Sequence, residues 1–186
     1  MLLLLKYLLK YLFIMSTKEF GTDKKSEINL TYLSIGSNIG DRIKNLSKSR
    51  LEIKKKIGNI IYESKIYETE PWGFKKQDFF LNQVIFVKTF FNPERLLKNC
   101  KKIESDMGRK VSGKWKERII DVDILYFNNS IVEKSDLLIP HKFLHERKFI
   151  LKPLNDIAPN FLHPKILKTT SNLLNECIDN SAVNVI

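Results

Sequence analysis

The spacing of apolar residues predicts a strand and then a helix in the first part of this chain. Residues 28–35 are apolar on both faces, which is typical of a strand in the centre of a sheet. The glycine-containing turn Gly36-Ser-Asn-Ile-Gly40 ends that strand. A helix is predicted from about Asp41 to Gly58, where the glycine stops it. One stripe of this helix is apolar: Ile43, Leu46, Ile53 and Ile57.

The pattern then predicts two strands, a second helix and a further strand. The two strands cover residues 59–67 and 79–89, with a long loop between them. The second helix begins at Asn92 as N-cap, has Pro93 in its first turn and stops at Gly108. After a last strand that ends at Phe127 the chain looks loop-rich, with a terminal helix capped near Thr170 or Ser171. The order β-α-β-β-α-β predicts an α+β fold, a ferredoxin-like α/β sandwich with helices packed on an antiparallel sheet.

Two carboxylates interrupt the last strand, Arg118-Ile-Ile-Asp-Val-Asp-Ile-Leu-Tyr-Phe127. Asp121 and Asp123 are two residues apart, so a strand sends both side chains to one face and Val122 to the other. Two unpaired charges are costly to bury, whereas hard oxygen ligands at this spacing suit Mg²⁺, which takes further ligands from substrate phosphates. A solvated strand end would also explain the pair. Arg118, three residues before the first carboxylate, favours a phosphate site.

Composition is consistent with one globular domain and an anionic partner. The chain has 186 residues, is 43% hydrophobic and carries a formal net charge of +11. That charge suits nucleic acid, a membrane surface or a nucleotide triphosphate, although solvated lysine-rich helix faces would carry much of it too. Cys100 and Cys177 both fall in helical apolar patterns, which favours reduced thiols in a cytoplasmic protein over a disulfide framework.

Residues 1–27 are expected to lie outside the folded domain, which we place at residues 28–186. The Leu-rich residues 1–15 are too short for a membrane span and are interrupted by Lys6 and Lys10. They also fit a secretory signal poorly. A short interfacial helix and a spurious upstream start, with translation beginning at Met15, both remain open. No membrane contact through this segment is expected.

Two local patterns suggest other sites and fail on closer inspection. Gly108-Arg-Lys-Val-Ser-Gly-Lys-Trp115 nearly matches a P-loop, but Trp115 replaces the final hydroxyl and the segment runs from helix to strand rather than the reverse. As a basic loop it can still hold a triphosphate. His141 and His145 have the spacing of a zinc pair, but no Glu or Cys accompanies them and Pro140 disfavours a regular helix there.

Five segments, in order, resemble the motifs of the 6-hydroxymethyl-7,8-dihydropterin pyrophosphokinases of folate biosynthesis. The resemblance covers about residues 28–175. The segments are Leu33-Ser-Ile-Gly-Ser-Asn38, Tyr67-Glu-Thr-Glu-Pro-Trp-Gly73, Phe80-Leu-Asn82, residues 115–123, and Ile139-Pro-His141 with Arg147-Lys-Phe149 and Pro153-Leu. The resemblance implies a ferredoxin-like fold and an enzyme that transfers the diphosphate of ATP to the pterin hydroxymethyl group and releases AMP. It also implies two Mg²⁺ ions.

The resemblance also implies roles for individual residues. Asp121 and Asp123 would hold the Mg²⁺ ions, and Arg109 and Arg118 would join them as catalytic residues. ATP would be bound by Glu104, Trp115, Arg118, Ile124, His141 and Arg147. The pterin would be bound by Thr69, Glu70, Trp72, Phe80, Asn82 and Phe149, with the two phenylalanine rings on either side of it.

The sequence departs from the family pattern in the loop between Gly108 and Trp115. This loop is one residue short, Val111 lies near the position of a second arginine, and Lys116-Glu117 replaces Gly-Pro. Lys110 and Lys114 are therefore candidates for the basic side chain that follows ATP as the loop closes.

Strand parity supports the pterin assignment. Phe80 and Asn82 share one face of the third strand, which suits a ring stacked on a flat heterocycle and an amide that reads its edge. Phe79 and Leu81 are expected to point the other way, into the core.

Two rival functions stay open at this point. A ferredoxin-like fold with this charge could bind RNA, but no aromatic RNP-like run is present and paired aspartates would repel phosphate. A different Mg²⁺-dependent phosphotransferase on the same scaffold would release ADP rather than AMP. We expect a cytoplasmic monomer whose partners are ATP and the pterin, without nucleic acid.

Overall fold

The computed structural model describes residues 27–72, 76–109 and 117–186. Four α-helices occur there, α1 (Arg42–Lys56), α2 (Pro93–Asp106), α3 (Lys148–Ile157) and α4 (Thr170–Glu176), and a 3-10 helix covers Leu144–Glu146. The strands are β1 (Asn29–Ser37), β2 (Gly58–Glu63), β3 (Tyr67–Thr69), β4 (Phe80–Thr89), β5 (Asp121–Phe127), β6 (Val132–Glu133), β7 (Leu138–Ile139) and β8 (Val183–Val185). No helix in these ranges is long and apolar enough to cross a membrane.

All strand pairs of the main sheet are antiparallel. Its order is β5-β1-β4-β3-β8. Strand β3 pairs with the first residues of β4, and β2 pairs with the last residues of β4 along the same edge. The predicted α+β class with an antiparallel sheet is therefore confirmed. Strand β1 lies between β4 and β5, which explains why its sequence is apolar on both faces.

Two apolar cores lie on opposite faces of the sheet. The first joins the sheet to α1 and α2 and contains Leu46, Ile53, Leu96 and Ile103. The second joins it to α3 and α4 and contains Leu151, Leu154 and Leu173. In β5 an irregularity of register opposite Tyr32 and Leu33 lets Leu125 and Tyr126 both belong to the second core. Such a bulge shifts side-chain parity by one residue.

The local signals at the two long helices are observed as predicted. The side chain of Asp41 accepts a hydrogen bond from the Lys44 N–H and caps α1. Asn92 caps α2 in the same way through the Arg95 N–H, with Pro93 in the first turn. Gly108 follows α2 at a φ of 95°, a backbone conformation that favours glycine.

Two parts of the sheet and helix prediction were wrong. The single strand expected at residues 59–67 is two strands, β2 and β3, with a break at Ser64. The region after Phe127, expected to be loop-rich, contains helix α3 with Pro153 inside it. A proline costs a helix one hydrogen bond, but α3 also buries Leu151 and Leu154 completely. The free energy gained by burying these two leucines in the second core therefore outweighs the cost of the proline.

The prediction that Phe79 is a core residue was also wrong. Its side chain is 47% exposed, whereas Leu81, two residues on, is 2% exposed. Strand β4 begins at Phe80, so Phe79 belongs to the preceding loop and alternation does not extend to it. Its carbonyl accepts a hydrogen bond from Arg42 Nη1 at 2.7 Å.

Candidate functional site

The two aspartates of β5 share one face of the sheet. Both are partly exposed, whereas Val122 and Ile124 are 1% and 5% exposed in the first core on the other face. The parity expected from the sequence is therefore observed. The side chain of Ile124 points away from the aspartates, so a ligand at this face would meet Ile124 only through its main chain.

Two arginines hold Asp121. Arg109 Nη1 is 2.5 Å from Asp121 Oδ1, and Arg118 Nη1 is 2.5 Å from Oδ2. Arg109 reaches the carboxylate from the end of α2, and Arg118 lies just before β5. Each carboxylate oxygen of Asp121 thus has its own guanidinium partner, in the charge-assisted pairing that arginine favours.

A buried glutamate connects α2 to the same strand. Glu104 is 3% exposed, and its Oε1 accepts hydrogen bonds from the Val122 N–H at 2.8 Å and from Lys101 at 3.0 Å. The same oxygen is 2.7 Å from Arg109 Nη1. Because Val122 lies between the two aspartates, Glu104 fixes the main chain that carries them. Burial raises the pKa of Glu104, and the charge of Lys101 opposes that shift.

The two aspartates have opposite pKa shifts. Burial raises the pKa of Asp123 to about 7, and the negative charge of Asp121 acts in the same direction. Burial acts on Asp121 too, but the positive charges of Arg118 and Arg109 outweigh it and hold the pKa of Asp121 below its ordinary value. Near neutral pH the face therefore carries one charged carboxylate beside a second that is partly protonated.

Arg147 lies among aromatic rings on the same side of the sheet. Its guanidinium is 4.5 Å from the ring centroid of Trp72, 5.1 Å from that of Phe143 and 5.7 Å from that of Phe149. These distances are within the range of cation–π attraction. Burial lowers the pKa of Arg147, and the charge of Asp123 opposes that shift. Arg147 thus connects the aspartates with two residues assigned to the pterin.

His141 follows the cis peptide bond between Ile139 and Pro140. The main-chain N–H of His141 donates to the Leu125 carbonyl at 3.0 Å, so His141 lies beside β5. Burial lowers the pKa of the His141 imidazole to about 4, and the charge of Arg147 adds to the effect. The imidazole is therefore neutral at physiological pH and can act as a hydrogen-bonding group.

Two of the residues assigned to the pterin, Phe80 and Asn82, lie in β4, two strands away from Asp121. Asn82 is 5% exposed, and its Nδ2 donates to Thr69 Oγ1 at 2.7 Å. The ring centroid of Phe80 is 5.9 Å from the guanidinium carbon of Arg118. Glu70 directly follows β3 and extends its pairing with the segment before β8, because the Glu70 N–H donates to the Ala182 carbonyl at 3.3 Å.

One row of the sheet joins the two groups of residues. Gly36 in β1 pairs with Asn82 on one side and with Asp121 on the other. A Cβ atom on Gly36 would stand 2.5 Å from Asn82 Oδ1, so the glycine makes room for the amide. With strands about 4.8 Å apart, the Cα atoms of Asn82 and Asp121 are separated by about 10 Å across this row.

Some predicted residues lie outside the described ranges, and some contributing residues were not predicted. Trp115, Lys110 and Lys114 fall in the undescribed residues 110–116.

Lys101 was not expected, although its place one turn before Glu104 in α2 could have suggested it. No spacing signal identified Phe143. In the described ranges no three His, Cys, Asp or Glu side chains form a cluster that could hold a metal by themselves.

Comparison with known proteins identifies the family. A family model described as 7,8-dihydro-6-hydroxymethylpterin-pyrophosphokinase (HPPK) matches residues 32–159. A 2-amino-4-hydroxy-6-hydroxymethyldihydropteridine pyrophosphokinase of Aquifex aeolicus is 42% identical over 133 residues, which are 72% of this chain and 82% of that protein. The folic acid synthesis protein FOL1 of Dictyostelium discoideum is 43% identical over 145 residues, but this chain spans only 22% of it.

Solved structures show the same fold. A Plasmodium falciparum HPPK-DHPS crystal structure superposes with a TM-score of 0.67 at 20% identity, over 86% of this chain and 47% of that one. The sequence relatives and the family model agree with the resemblance carried by the five segments. The chain belongs to the 7,8-dihydro-6-hydroxymethylpterin-pyrophosphokinase family.

Proposed function

We propose that this chain transfers the diphosphate of ATP to the hydroxymethyl group of 6-hydroxymethyl-7,8-dihydropterin and releases AMP. The observation that carries the proposal is the row Asn82–Gly36–Asp121. It places an amide suited to a heterocycle edge about 10 Å from a carboxylate surrounded by arginines. That separation leaves room for a pterin ring with its hydroxymethyl group directed at the phosphates.

The residues of β5 fit a magnesium site. Asp121 and Asp123 supply hard oxygen ligands from one face, and water and substrate phosphates can complete the shell. Arg109 and Arg118 provide positive charge beside Asp121. Burial and the charge of Asp121 raise the pKa of Asp123, so a second negative charge is unfavourable here and a bound cation would relieve it. When bound, Mg²⁺ would neutralise charge on the transferred diphosphate and polarise it.

The arginines can then act on the nucleotide. Both guanidiniums pair with Asp121, and Arg109 also pairs with Glu104 at 2.7 Å. A cation bound to Asp121 would weaken its pairing with both guanidiniums and let them turn toward phosphate oxygens. Arg118 lies at the start of β5 and Arg109 at the entrance to residues 110–116, so they approach the same carboxylate from different segments. We assign both to stabilising charge that develops on the phosphates.

We assign the ATP site to the residues around Asp121 and Asp123, and the pterin site to the aromatic and polar residues beside them. Arg147, neutral His141, Glu104 and the main chain of Ile124 lie near the aspartates and suit the nucleotide. Trp115, which lies outside the described residues, is assigned to ATP on the family resemblance alone. Thr69, Asn82, Glu70, Trp72, Phe80 and Phe149 suit the pterin. The ring of Phe80 lies within 6 Å of the Arg118 guanidinium, and the ring of Phe149 lies within 6 Å of the Arg147 guanidinium. These distances support adjacent ATP and pterin sites.

Three further expectations complete the proposal. The functional form is a monomer in which one chain supplies all the site residues. Cys100 and Cys177 are free thiols, which supports a reducing compartment such as the cytoplasm. The strand order β5-β1-β4-β2, with two helices on one face, supports the ferredoxin-like assignment.

An assay of nucleotide products tests the function. The purified chain is incubated with ATP, Mg²⁺ and 6-hydroxymethyl-7,8-dihydropterin, and the nucleotides are separated by chromatography. We expect AMP in a one-to-one ratio with the pterin diphosphate. ADP as the product would instead indicate a single-phosphate transfer, and no consumption of ATP would overturn the proposal. Omitting Mg²⁺ should abolish product formation.

A further inference from the structure

Asn38 is a buried amide at the end of β1 that binds two separate segments. It is 1% exposed. Its Oδ1 accepts a hydrogen bond from the Arg118 N–H at 2.7 Å, and its own N–H donates to the Arg118 carbonyl at 3.2 Å. Both main-chain polar groups of Arg118 are therefore held by this single residue.

The other end of the Asn38 amide faces the loop that leads into β4. Its Nδ2 donates to Gln77 Oε1 at 3.3 Å and to the Asp78 carbonyl at 3.4 Å. This loop ends at Phe80, the first residue of β4. One side chain thus contacts the arginine assigned to the phosphates and the segment that places the ring assigned to the pterin.

Arg42 binds the same loop, and its hydrogen bonds in the described residues go to partners other than Arg118. Its Nη1 donates to the Phe79 carbonyl at 2.7 Å, and its Nη2 pairs with Glu68 at 2.8 Å. Asn38 and Arg42 line a polar cleft of about 430 Å³ with Gln77, Asp78 and Phe79. Arg42 therefore allows the loop contact to be tested separately from the Arg118 contact.

We propose that Asn38 is a positioning residue that fixes Arg118 relative to the pterin ring and so aligns the two substrates. The inference rests on the proposed function. A displacement of about 1 Å at a reacting centre can cost about 100-fold in rate, so a shared anchor for both substrate sites has a direct effect on turnover. A purely structural asparagine would affect stability and leave the kinetic constants alone.

Asn45 supplies a matched control. Its Nδ2 donates to Ser37 Oγ at 3.1 Å and to the Ile39 carbonyl at 2.8 Å, so it stabilises the same turn after β1. Its hydrogen bonds go neither to Arg118 nor to the loop before β4. Asn45→Ala should lower stability to a degree similar to that expected for Asn38→Ala, because each removes side-chain hydrogen bonds that anchor this turn, in one case to α1 and in the other to Arg118 and the loop before β4.

Steady-state kinetics with both substrates varied test the proposal. Asn38→Ala should lower kcat by about 10- to 100-fold and raise the KM for the pterin by several-fold, since both contacts are lost. Arg42→Met should raise the KM for the pterin and leave kcat within about twofold, because only the loop is released. Asn45→Ala should leave both constants unchanged.

Asn38→Asp separates the two contacts and covers the case in which Asn38→Ala does not fold. It keeps an oxygen for the Arg118 N–H and removes the donor to the loop, so kcat should exceed that of Asn38→Ala while the pterin KM resembles that of Arg42→Met. If Asn38→Ala and Asn38→Asp both match Asn45→Ala, the positioning role is wrong. A wild-type chain that forms no AMP would instead refute the proposed function.

Discussion

Asp121 and Asp123 show how neighbours decide the behaviour of identical side chains. Both are partly buried on the same face of β5, yet the pKa of one is lowered and that of the other is raised to about 7. The difference follows from the two arginines, which pair with Asp121. Above about pH 7 Asp123 is mostly charged, and a bound cation would relieve the unfavourable charge beside Asp121.

Replacing Asp123 should separate stability from function. Asp123→Asn is expected to lower turnover by about 100-fold or more, because a catalytic metal supplies several kcal/mol of charge stabilisation. Without metal at pH 8, the free energy of unfolding should stay equal or rise, since the variant has no charge to bury. Turnover and urea unfolding measure the two effects. Substantial remaining activity would contradict the metal assignment.

Phe79 and Phe80 are adjacent, but we expect different phenotypes. Phe80→Ala should weaken pterin binding by roughly 1–3 kcal/mol, on the scale of stacking between a base and an aromatic ring, while ATP binding barely changes. Phe79→Ala should alter neither binding nor stability much, because its side chain is 47% exposed. Titration of each substrate by fluorescence measures both affinities. If Phe79→Ala weakens pterin binding and Phe80→Ala does not, the assignment of the stacking ring is wrong.

At the scale of elements, the segment between α3 and α4 depends on a buried histidine. His163 is 3% exposed, and its Nδ1 accepts hydrogen bonds from the N–H groups of Lys165 and Ile166, each at 3.2 Å. The main-chain N–H of His163 donates to the Lys168 carbonyl at 2.9 Å. Burial lowers the pKa of His163 to about 4, and the proximity of His145 adds to the effect.

This histidine should make folding sensitive to acid. The unfolded chain binds the proton below about pH 6.5, whereas the folded chain binds it only below about pH 4, so stability is lost as the pH falls between these values. His163→Asn keeps an acceptor near the two N–H groups and removes the titration. The free energy of unfolding should then fall less steeply over this range. Because His145 adds to the pKa shift of His163, His145→Asn should reduce the slope by less than His163→Asn does. A slope that His163→Asn leaves unchanged would contradict the assignment.

The C-terminal strand shows how a distant segment completes an element. Strand β8 pairs with β3 from Tyr67 to Thr69, and Lys152 Nζ donates to the Val183 carbonyl at 2.7 Å. The N–H of Lys148 donates to Asp179 Oδ2 at 3.0 Å, which joins the start of α3 to the same tail. The edge that carries Thr69 is therefore covered on its outer side by residues more than 100 positions away in the chain.

At the scale of the molecule, the described strands and helices form one sheet with a core on each face, and these elements begin at Asn29. We propose that residues 28–186 form a single domain and that residues 1–27 are an extension. A chain that starts at Met15 should have the same urea midpoint and the same turnover as the full-length chain, because no core position precedes Asn29 in the described structure. Loss of folding on this truncation would show that residues 1–14 pack against the domain.

The sequence by itself determined the features that depend on short-range geometry. Alternation placed Asp121 and Asp123 on one face, and the caps at Asp41 and Asn92 and the stop at Gly108 follow from hydrogen bonds and backbone angles within a few residues. The central position of β1 was also predictable, because only a strand covered on both faces is apolar on both.

The tertiary structure alone decided the features that depend on contacts between distant residues. Pro153 lies inside a helix because the second core buries its neighbours, and Phe79 is exposed because β4 starts one residue later. The pairing of Arg109 and Arg118 with Asp121 and the row from Asn82 through Gly36 join segments far apart in the chain. Local periodicity carries no information about which strand lies beside which, because register and pairing are set by the packing of the whole sheet.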